Sequence, residues 1–317
     1  MTPSPVRVAV TSRSFSRHPK LRAELLARYA DVTFNDKGLL LSGDALIEFL
    51  RGHERAITAL EKLDESVFAA LPELRVIGKF GVGLDSIDLD AMTRHGRKLG
   101  WRGGVNRRSV AELVVAFAIA CLRLIPQANS SLRGGKWLQF AGRQLTGRTV
   151  GIVGCGHVGK DLATLLRAFD CELLAHDIRD FPDFYAQWRV RSVGLERLLA
   201  ESEIVTLHVP LDATTANMIS AARLALMRRE AVLINAARGG IVDEAALVVA
   251  LKEGRLAAAA FDVFSTEPPQ NDELLTLPNF LATPHIGGSS EEAIIAMGMA
   301  AIEGLETAGD PWTVAAG

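Results

Sequence analysis

Residues 149–160 read TVGIVGCGHVGK, and this stretch decides the fold class of the chain. It contains the pattern GxGxxG where a predicted strand ends and a predicted helix begins, the context typical of dinucleotide-binding loops. Gly154 permits the tight turn, Gly156 lets the backbone approach a pyrophosphate, and Gly159 allows the helix to pack closely on the strand. The stretch therefore predicts a site for a nicotinamide dinucleotide.

The residues that follow the glycines refine this prediction. His157 and Val158 begin the helix, whose amino end attracts phosphate, and we expect His157 to contribute through its backbone. Asp177 ends the next predicted strand, 18 residues after Gly159. A carboxylate at this position accepts hydrogen bonds from ribose hydroxyls and repels a 2′-phosphate, which favours NAD over NADP. The alternative is a glycine-rich strand–helix turn that binds no ligand.

Strands and helices alternate on both sides of the glycine loop. This alternation predicts an α/β protein with parallel sheets covered by helices. The predicted strands before the loop are residues 6–11, 32–34, 56–58, 75–79 and 99–101. Those from the loop onward are residues 149–153, 173–176, 189–192, 204–208, 232–235, 257–262 and 280–282.

Two capping boxes predict where long helices begin. In each, a serine and a glutamate three residues later satisfy free N–H groups of the first helical turn. Ser109 and Glu112 form the first box, ahead of an almost wholly apolar stretch that predicts a buried helix. Ser289 and Glu292 form the second, at the start of a last helix that runs to about residue 307.

Composition narrows the class of protein. The length of 317 residues favours two domains, and 35 Lys and Arg against 37 Asp and Glu argue against a chain that coats nucleic acid or an anionic membrane. Three cysteines without a CxxC pair predict neither a disulfide framework nor a metal site. The start lacks a signal-peptide pattern, and the longest apolar run, residues 113–122, is too short to span a bilayer. We therefore expect a cytoplasmic protein.

Three more segments follow the glycine loop in order. They read NAARGGIVDE at residues 235–244, DVFSTEPP at 262–269 and TPHIGG at 283–288. In this order they resemble the D-2-hydroxyacid dehydrogenase family, and the resemblance covers nearly the whole chain. It is similar to the phosphoglycerate dehydrogenase and hydroxypyruvate reductase branches, in a short form for which we expect no C-terminal regulatory domain.

The resemblance implies an NAD-dependent enzyme that interconverts a 2-oxo acid and a D-2-hydroxy acid. Arg238 has the planar charged fork that orients a carboxylate. His285 is the group that exchanges a proton with the C2 oxygen, since imidazole titrates near neutral pH. Glu267 is expected to accept the other ring N–H and to stabilise the charged ring. The resemblance assigns these roles to the same three residues.

Further contacts are implied by the resemblance alone. Its substrate loop matches residues 78–85, where we expect substrate contacts from Lys79, Phe80, Gly81 and Val82. The Lys79 ammonium is either a counter-charge for the substrate or a surface group. Asp262 is expected to face the nicotinamide carboxamide. The remaining residues expected to line NAD are His208, Pro210, Thr215, Ala236, Arg238, His285 and Gly287.

The resemblance also implies the domain organisation. A Rossmann NAD-binding domain, residues 104–288, would be inserted into a flavodoxin-like substrate domain made of residues 1–103 and 289–317, with a cleft between these two doubly wound parallel-sheet domains. The segment WRGGVN at residues 101–106 departs from the Thr-Pro-Gly that many members have there. We also expect a homodimer, paired through the NAD domain with an apolar face supplied by the helix after Ser109.

A binding protein is the alternative from another functional class. The same fold serves as an NADH-sensing corepressor, and the Arg, Glu and His residues can persist in such a protein. Turnover of a small 2-oxo acid distinguishes the two functions, because fold alone implies neither.

Overall fold

The computed structural model describes residues 4–270 and 272–316. The chain divides into two compact units, Met1–Asn106 with Gly288–Gly317, and Arg107–Gly287. We call them the first unit and the NAD unit. From the sequence we expect the chain to pass from one domain to the other near residues 103 and 288. In the structure the first unit ends at Asn106 and the NAD unit ends at Gly287.

The first unit is built on a parallel five-stranded sheet in the order β2-β1-β3-β4-β5. This is the flavodoxin-like order that the sequence predicted. Its strands are β1 (Ser4–Val10), β2 (Tyr29–Phe34), β3 (Arg55–Thr58), β4 (Val76–Lys79) and β5 (Lys98–Gly100). Its helices in this part of the chain are α1 (Arg13–Arg17), α2 (Pro19–Leu26), α3 (Gly43–Leu50), α4 (Glu65–Ala70) and α5 (Leu89–Arg94).

The NAD unit contains a parallel seven-stranded sheet in the order β12-β11-β10-β9-β6-β7-β8. Its strands are β6 (Thr149–Val153), β7 (Glu172–His176), β8 (Val190–Ser192), β9 (Ile204–Leu207), β10 (Val232–Asn235), β11 (Ala258–Phe261) and β12 (Phe280–Ala282). Its helices are α6 (Arg107–Leu122), α7 (Ile125–Arg133), α8 (His157–Leu166), α9 (Pro182–Trp188), α10 (Leu195–Glu201), α11 (Ala221–Leu224), α12 (Glu244–Lys252) and α13 (Asp272–Thr276). The strand order reverses between β6 and β9, and ligands bind α/β sheets at such a point.

The chain returns to the first unit in α14 (Glu291–Thr307) and α15 (Pro311–Ala316). Helix α14 packs against β4 and β5 at unusually short range. A Cβ on Gly78 would lie 2.6 Å from the Ala301 carbonyl oxygen, and a Cβ on Gly100 would overlap the backbone of Gly304. Glycines therefore set how closely this helix lies on the sheet.

Both predicted capping boxes are wrong in detail. Helix α6 begins at Arg107, so Ser109 lies inside it and its hydroxyl donates to the carbonyl of Gly287 at 2.6 Å. Arg107 and Arg108 therefore belong to the helix, and Arg108 makes a two-pronged ion pair with Asp161 in α8, at 2.7 and 2.9 Å. Helix α14 is capped one residue later than expected, by Ser290, whose hydroxyl accepts from the Ala293 amide at 3.2 Å.

Helix α6 is buried, as its composition predicted. Ala111, Val114 and Phe117 are nearly inaccessible and lie in the same core as Leu162 of α8. The apolar face of α6 is thus largely covered within the NAD unit, which leaves less of it for a partner chain than the sequence suggested.

Neither a membrane span nor a metal cluster is evident among residues 4–270 and 272–316. No single helix there is long and apolar enough to cross a bilayer, although the bent pair α6 and α7 meets the length and composition test jointly. No group of three or more His, Cys, Asp or Glu side chains in that part of the chain could hold a metal ion. The three cysteines are buried and free.

The contact between Gly100 and Gly304 generates a stability prediction. Gly100→Ala should lower the free energy of unfolding by about 1–3 kcal/mol, because the added methyl group overlaps backbone that cannot rotate away. Gly194→Ala is the control, since a Cβ there meets nothing within 4 Å, and it should change the value by less than about 0.5 kcal/mol. Urea unfolding followed by circular dichroism measures both, and equal effects would contradict the packing argument.

Candidate functional site

The predicted site residues of the NAD unit share one edge of its sheet. Parallel pairing aligns the carboxyl ends of six strands, which close in register at Val153, His176, Leu207, Asn235, Phe261 and Ala282. The glycine loop, Asp177, His208, Arg238, Asp262 and His285 all follow these ends within three residues. The sheet therefore gathers side chains that are up to about 130 residues apart in sequence on its ligand-binding edge.

The glycine loop has the geometry that its sequence predicts. Gly154 has φ of 93°, and a Cβ there would lie 2.6 Å from the His208 carbonyl oxygen. A Cβ on Gly159 would overlap the carbonyl of Gly154, so α8 can pack on the loop only without a side chain. A Cβ on Gly156, just before α8, would meet open space. The loop backbone is accessible there, beside the first amides of an anion-attracting helix end.

Asp177 connects the glycine loop to the end of β7. One of its carboxylate oxygens accepts from the Cys155 amide at 2.6 Å, and the other accepts from the Arg179 amide at 2.8 Å. Each oxygen has a second lone pair, so these bonds leave acceptor capacity for the predicted ribose hydroxyls. The bonds also hold the carboxylate beside the loop that would carry the pyrophosphate.

His208 lies on the other side of the glycine loop, after β9. Its Nε2 is 2.9 Å from the Thr206 hydroxyl. Burial of the ring lowers the pKa of His208 to about 3, so the imidazole is neutral at physiological pH. Pro210 and Thr215 belong to the loop that follows, where the Thr215 hydroxyl donates to the Pro210 carbonyl at 2.7 Å. The Thr215 side chain thus fixes the shape of its own loop.

Arg238 lies in a tight turn after β10. The buried Asn235 side chain closes this turn by donating to the Arg238 carbonyl at 2.9 Å and accepting from the Ala237 amide at 3.1 Å. A Cβ on Gly239 would overlap the Phe264 carbonyl, so the turn packs directly on the segment after β11. Ala236, the other residue predicted here, is partly exposed at the strand end.

Glu267 and His285 form the predicted pair. His285 Nδ1 lies 2.8 Å from a carboxylate oxygen of Glu267, and the other oxygen accepts from the Phe264 amide at 3.1 Å. The His285 side chain remains 43% exposed and that of Glu267 38%, so a small molecule can reach the pair. His285 has φ of 55°, a left-handed conformation that is strained for a residue other than glycine.

Asp262 fixes the loop that carries His285. Its buried carboxylate accepts from the Thr283 hydroxyl at 2.5 Å and from the amides of Ile286 and Gly287, each at 2.7 Å. Its carbonyl accepts from the His285 amide at 2.9 Å. The carboxylate expected to face the nicotinamide carboxamide therefore already holds residues 283–287 by three hydrogen bonds.

The predicted substrate loop of the first unit differs from expectation at two residues. Lys79 is only 4% exposed, and its ammonium donates to the Ala59 carbonyl and, at 3.4 Å, to the Ser86 hydroxyl, so the surface alternative is wrong. Phe80 is in the core with its ring against Phe15, and its amide donates to the Thr58 carbonyl at 2.8 Å. The prediction that Phe80 contacts the substrate through its side chain or its N–H is therefore wrong, because both groups are engaged inside the unit.

Gly81 and Val82 keep the amide groups that the substrate prediction needs. Within the described residues, neither N–H donates to a protein acceptor. Gly81 has φ of 124°, which glycine alone adopts readily, and Trp101 holds the loop by donating to the Val82 carbonyl at 3.1 Å. These two amides can therefore still donate to another acceptor.

Comparison with known proteins agrees with this geometry. The family model for the NAD-binding domain of D-isomer specific 2-hydroxyacid dehydrogenases matches residues 115–287. The D-3-phosphoglycerate dehydrogenase of Archaeoglobus fulgidus is 39% identical over 84% of this chain and 51% of its own length. The chain belongs to the D-isomer specific 2-hydroxyacid dehydrogenase family.

Two glyoxylate reductases of other organisms are similar as well. That of Thermococcus litoralis is 36% identical over 78% of this chain and 78% of its own length. The solved structure of the enzyme from Paecilomyes thermophila aligns with a TM-score of 0.85 and 25% identity over 96% of this chain and 95% of that chain. The present family member spans about half the length of the Archaeoglobus relative.

The residues present fit the NAD that this family binds. The reversal of strand order, the glycine loop without obstructing side chains and the carboxylate of Asp177 are the parts that a dinucleotide needs. Gly154, Gly156, Gly159 and the first amides of α8 would hold the pyrophosphate, and Asp177 the adenosine ribose.

Sequence reasoning missed three residues that hold site loops in place, namely Ser109, Thr206 and Asn235. Thr206 and Asn235 are buried polar residues at the ends of apolar strands, which is a signal visible in the sequence. Ser109 was assigned to a cap, and its actual partner, Gly287, is 178 residues away.

The low pKa of His208 predicts a pH dependence of stability. In the unfolded chain His208 is protonated below its ordinary pKa of about 6.5. In the folded protein it stays neutral down to about pH 3. Native stability should therefore fall as pH falls through this window, by up to about 1.4 kcal/mol per pH unit from this residue.

His208→Asn should remove that component, whereas His157→Asn, which changes an exposed ring, should not. Urea unfolding between pH 7 and 4 measures the difference. Parallel curves for wild type and His208→Asn would show that burial of this ring does not control its protonation.

Proposed function

We propose that this chain catalyses the NAD-dependent interconversion of a small 2-oxo acid and the corresponding D-2-hydroxy acid. The observation that carries the proposal is the 2.8 Å contact of His285 with Glu267 on the sheet edge that also bears the glycine loop. The names of the relatives, D-3-phosphoglycerate dehydrogenase and glyoxylate reductase, support this substrate class. They give no support to the NADH-sensing corepressor alternative.

His285 performs the proton transfer in this proposal. NAD supplies the hydride acceptor for oxidation and, as NADH, the hydride donor for reduction. Because Nδ1 of His285 contacts Glu267, Nε2 is the atom that gives a proton to the carbonyl oxygen during reduction and takes it back during oxidation. The Glu267 carboxylate stabilises the imidazolium by its negative charge and orients the ring.

Arg238 binds the substrate carboxylate in this proposal. Its guanidinium is a planar charged donor group whose Nη1 also donates to the Ala237 carbonyl at 2.7 Å, and the turn closed by Asn235 sets its starting point. In the first unit, the amides of Gly81 and Val82 are neutral donors of the kind that bind carboxylates, and we keep them as proposed substrate contacts. Asp177 gives the site its preference for NAD over NADP, and we keep the cytoplasmic location as a prediction.

The pair predicts how activity changes in two variants. Glu267→Gln keeps an acceptor for the His285 ring but removes the negative charge beside it, so it should lower kcat for reduction with NADH affinity nearly unchanged. His285→Ala should lower kcat by roughly 10²–10⁴-fold.

The measurement is NADH oxidation with glyoxylate, hydroxypyruvate, pyruvate and phosphohydroxypyruvate. Glu253→Gln, an exposed acid at the end of α12, is the control for loss of a carboxylate. Equal kcat values for wild type and Glu267→Gln would remove Glu267 from the proton-transfer step. Undiminished turnover by His285→Ala would refute the proposed mechanism.

A homodimer is the assembly we propose, through a different face from the one the sequence suggested. Helix α7 has no buried residue, and Ile125, Leu132, Trp137 and Leu138 are each at least half exposed. They border an open groove of about 440 Å³. A second copy is the occupant we propose, because a two-fold axis places one patch against its equal, so that a groove and a projecting indole are available on both sides.

Introducing positive charge into this apolar patch tests the dimer. The double variant Leu132→Lys with Trp137→Lys should sediment as a monomer under conditions where the wild type is a dimer, because four buried ammonium groups would oppose each other across the axis. Leu40→Lys, at another highly exposed leucine, should leave the dimer intact. A monomeric wild type, or a double variant that still pairs, would contradict this assignment of the interface.

A further inference from the structure

Ser109 is attached to the end of the loop that carries His285. It is the third residue of α6, and its hydroxyl donates to the Gly287 carbonyl at 2.6 Å. The amide of the same Gly287 donates to the Asp262 carboxylate at 2.7 Å. Both polar groups of Gly287 are thus bound, one by Asp262 and one by Ser109, so the exit of the loop has a defined position.

The packing around Gly287 leaves little room for adjustment. A Cβ there would lie 3.0 Å from a carboxylate oxygen of Asp262 and 3.4 Å from a methyl group of Val110, the residue after Ser109. Helix α6 and Asp262 therefore enclose this glycine from two directions. A loss of the Ser109 hydroxyl would release the only side-chain bond that the Gly287 carbonyl makes within the described residues.

The conformation of His285 makes this support necessary. Its φ of 55° is a left-handed conformation that is strained for a residue with a side chain, and such conformations persist only where surrounding contacts determine them. The Asp262 carboxylate accepts hydrogen bonds from the Thr283 hydroxyl and from the amides of Ile286 and Gly287. Ser109 supplies the remaining contact, at the carboxyl end of the loop.

Helix α6 also connects this loop to α8, the helix that follows the glycine loop. Arg108, adjacent to Ser109, makes the two-pronged ion pair with Asp161, which belongs to the helix that begins at the glycine loop. Asp161 is 13% exposed and the Arg108 side chain 55%, so the carboxylate is largely buried while the guanidinium faces water. One short segment, Arg108 and Ser109, therefore joins α8 to the end of the His285 loop.

We propose that Ser109 is a positioning residue that sets His285 relative to the bound nicotinamide cofactor for proton transfer. The proposal rests on the proposed function, in which His285 is the proton donor and acceptor. Ser109 acts through the Gly287 carbonyl and does not touch substrate. Its effect should therefore appear in the rate of the chemical step and not in cofactor affinity.

A double-mutant cycle between Ser109 and His285 tests the proposal. In the wild-type background, Ser109→Ala should lower kcat for 2-oxo acid reduction about 3- to 10-fold, the range that follows from losing one hydrogen bond. The Kd for NADH, measured by protein fluorescence quenching, should change less than about twofold. In the His285→Ala background the same substitution should change kcat less than about twofold, because the group it positions is gone.

Conservative and surface variants complete the design. Ser109→Thr keeps the hydroxyl and should retain kcat within about twofold. Ser192→Ala removes an exposed hydroxyl at the end of β8 and should have no effect. If Ser109→Ala does not fold, Ser109→Cys, with its weaker donor, replaces it under the same expectations.

The outcomes separate the two claims. Full activity of Ser109→Ala, or an equal loss of kcat in both backgrounds, would overturn the positioning role while leaving His285 as the proton donor. Full activity of His285→Ala would overturn the proposed function itself. Loss of kcat that Ser109→Thr restores and that disappears in the His285→Ala background supports the inference.

Discussion

The carboxylate of Asp262 is the group on which the arrangement of the site depends. Burying a charge is unfavourable unless hydrogen bonds replace its water, and Asp262 obtains three of them from Thr283, Ile286 and Gly287. The requirement to satisfy this buried anion is what shapes residues 283–287. His285 lies inside that loop in a left-handed conformation, with its ring directed to Glu267. The hydrogen bonds that satisfy Asp262 at the end of β11 therefore also fix the position of the His285 imidazole.

Parallel strand pairing brings the other parts to the same edge. The last residues of neighbouring strands pair with each other on both sides of the β6–β9 reversal. The glycine loop and the turns that carry Arg238 and His285 therefore all begin at the same edge of the sheet. Close backbone contacts at Gly154, Gly159 and Gly239 then join neighbouring loops without intervening side chains. One sheet therefore positions both the glycine loop and the contact of Glu267 with His285, at the edge where doubly wound folds bind ligands.

Local patterns were sufficient to predict the parts of the molecule whose determinants are close in sequence. The strand–helix alternation and the glycine loop predicted both sheets, and the matched segments predicted the contact of Glu267 with His285. Two errors and one open alternative had causes elsewhere in the sequence. Ser109 satisfies a carbonyl 178 residues away instead of capping its helix, and Phe80 enters the core against Phe15. Of the two alternatives for Lys79, the surface one fails because the Ala59 carbonyl and the Ser86 hydroxyl bind its buried ammonium. No local pattern encodes such partners.

The central claim is that this site moves a hydride between NADH and the second carbon of a 2-oxo acid. Deuterium transfer tests it most directly: the protein is incubated with NADH deuterated at C4 and with each of the four 2-oxo acids, and the products are analysed for label and configuration. The account predicts a D-2-hydroxy acid carrying deuterium at C2 from at least one substrate, and none of it with His285→Ala at the same enzyme concentration and time. Binding of NADH without label transfer to any of the four acids, or label in an L-2-hydroxy acid, would contradict it.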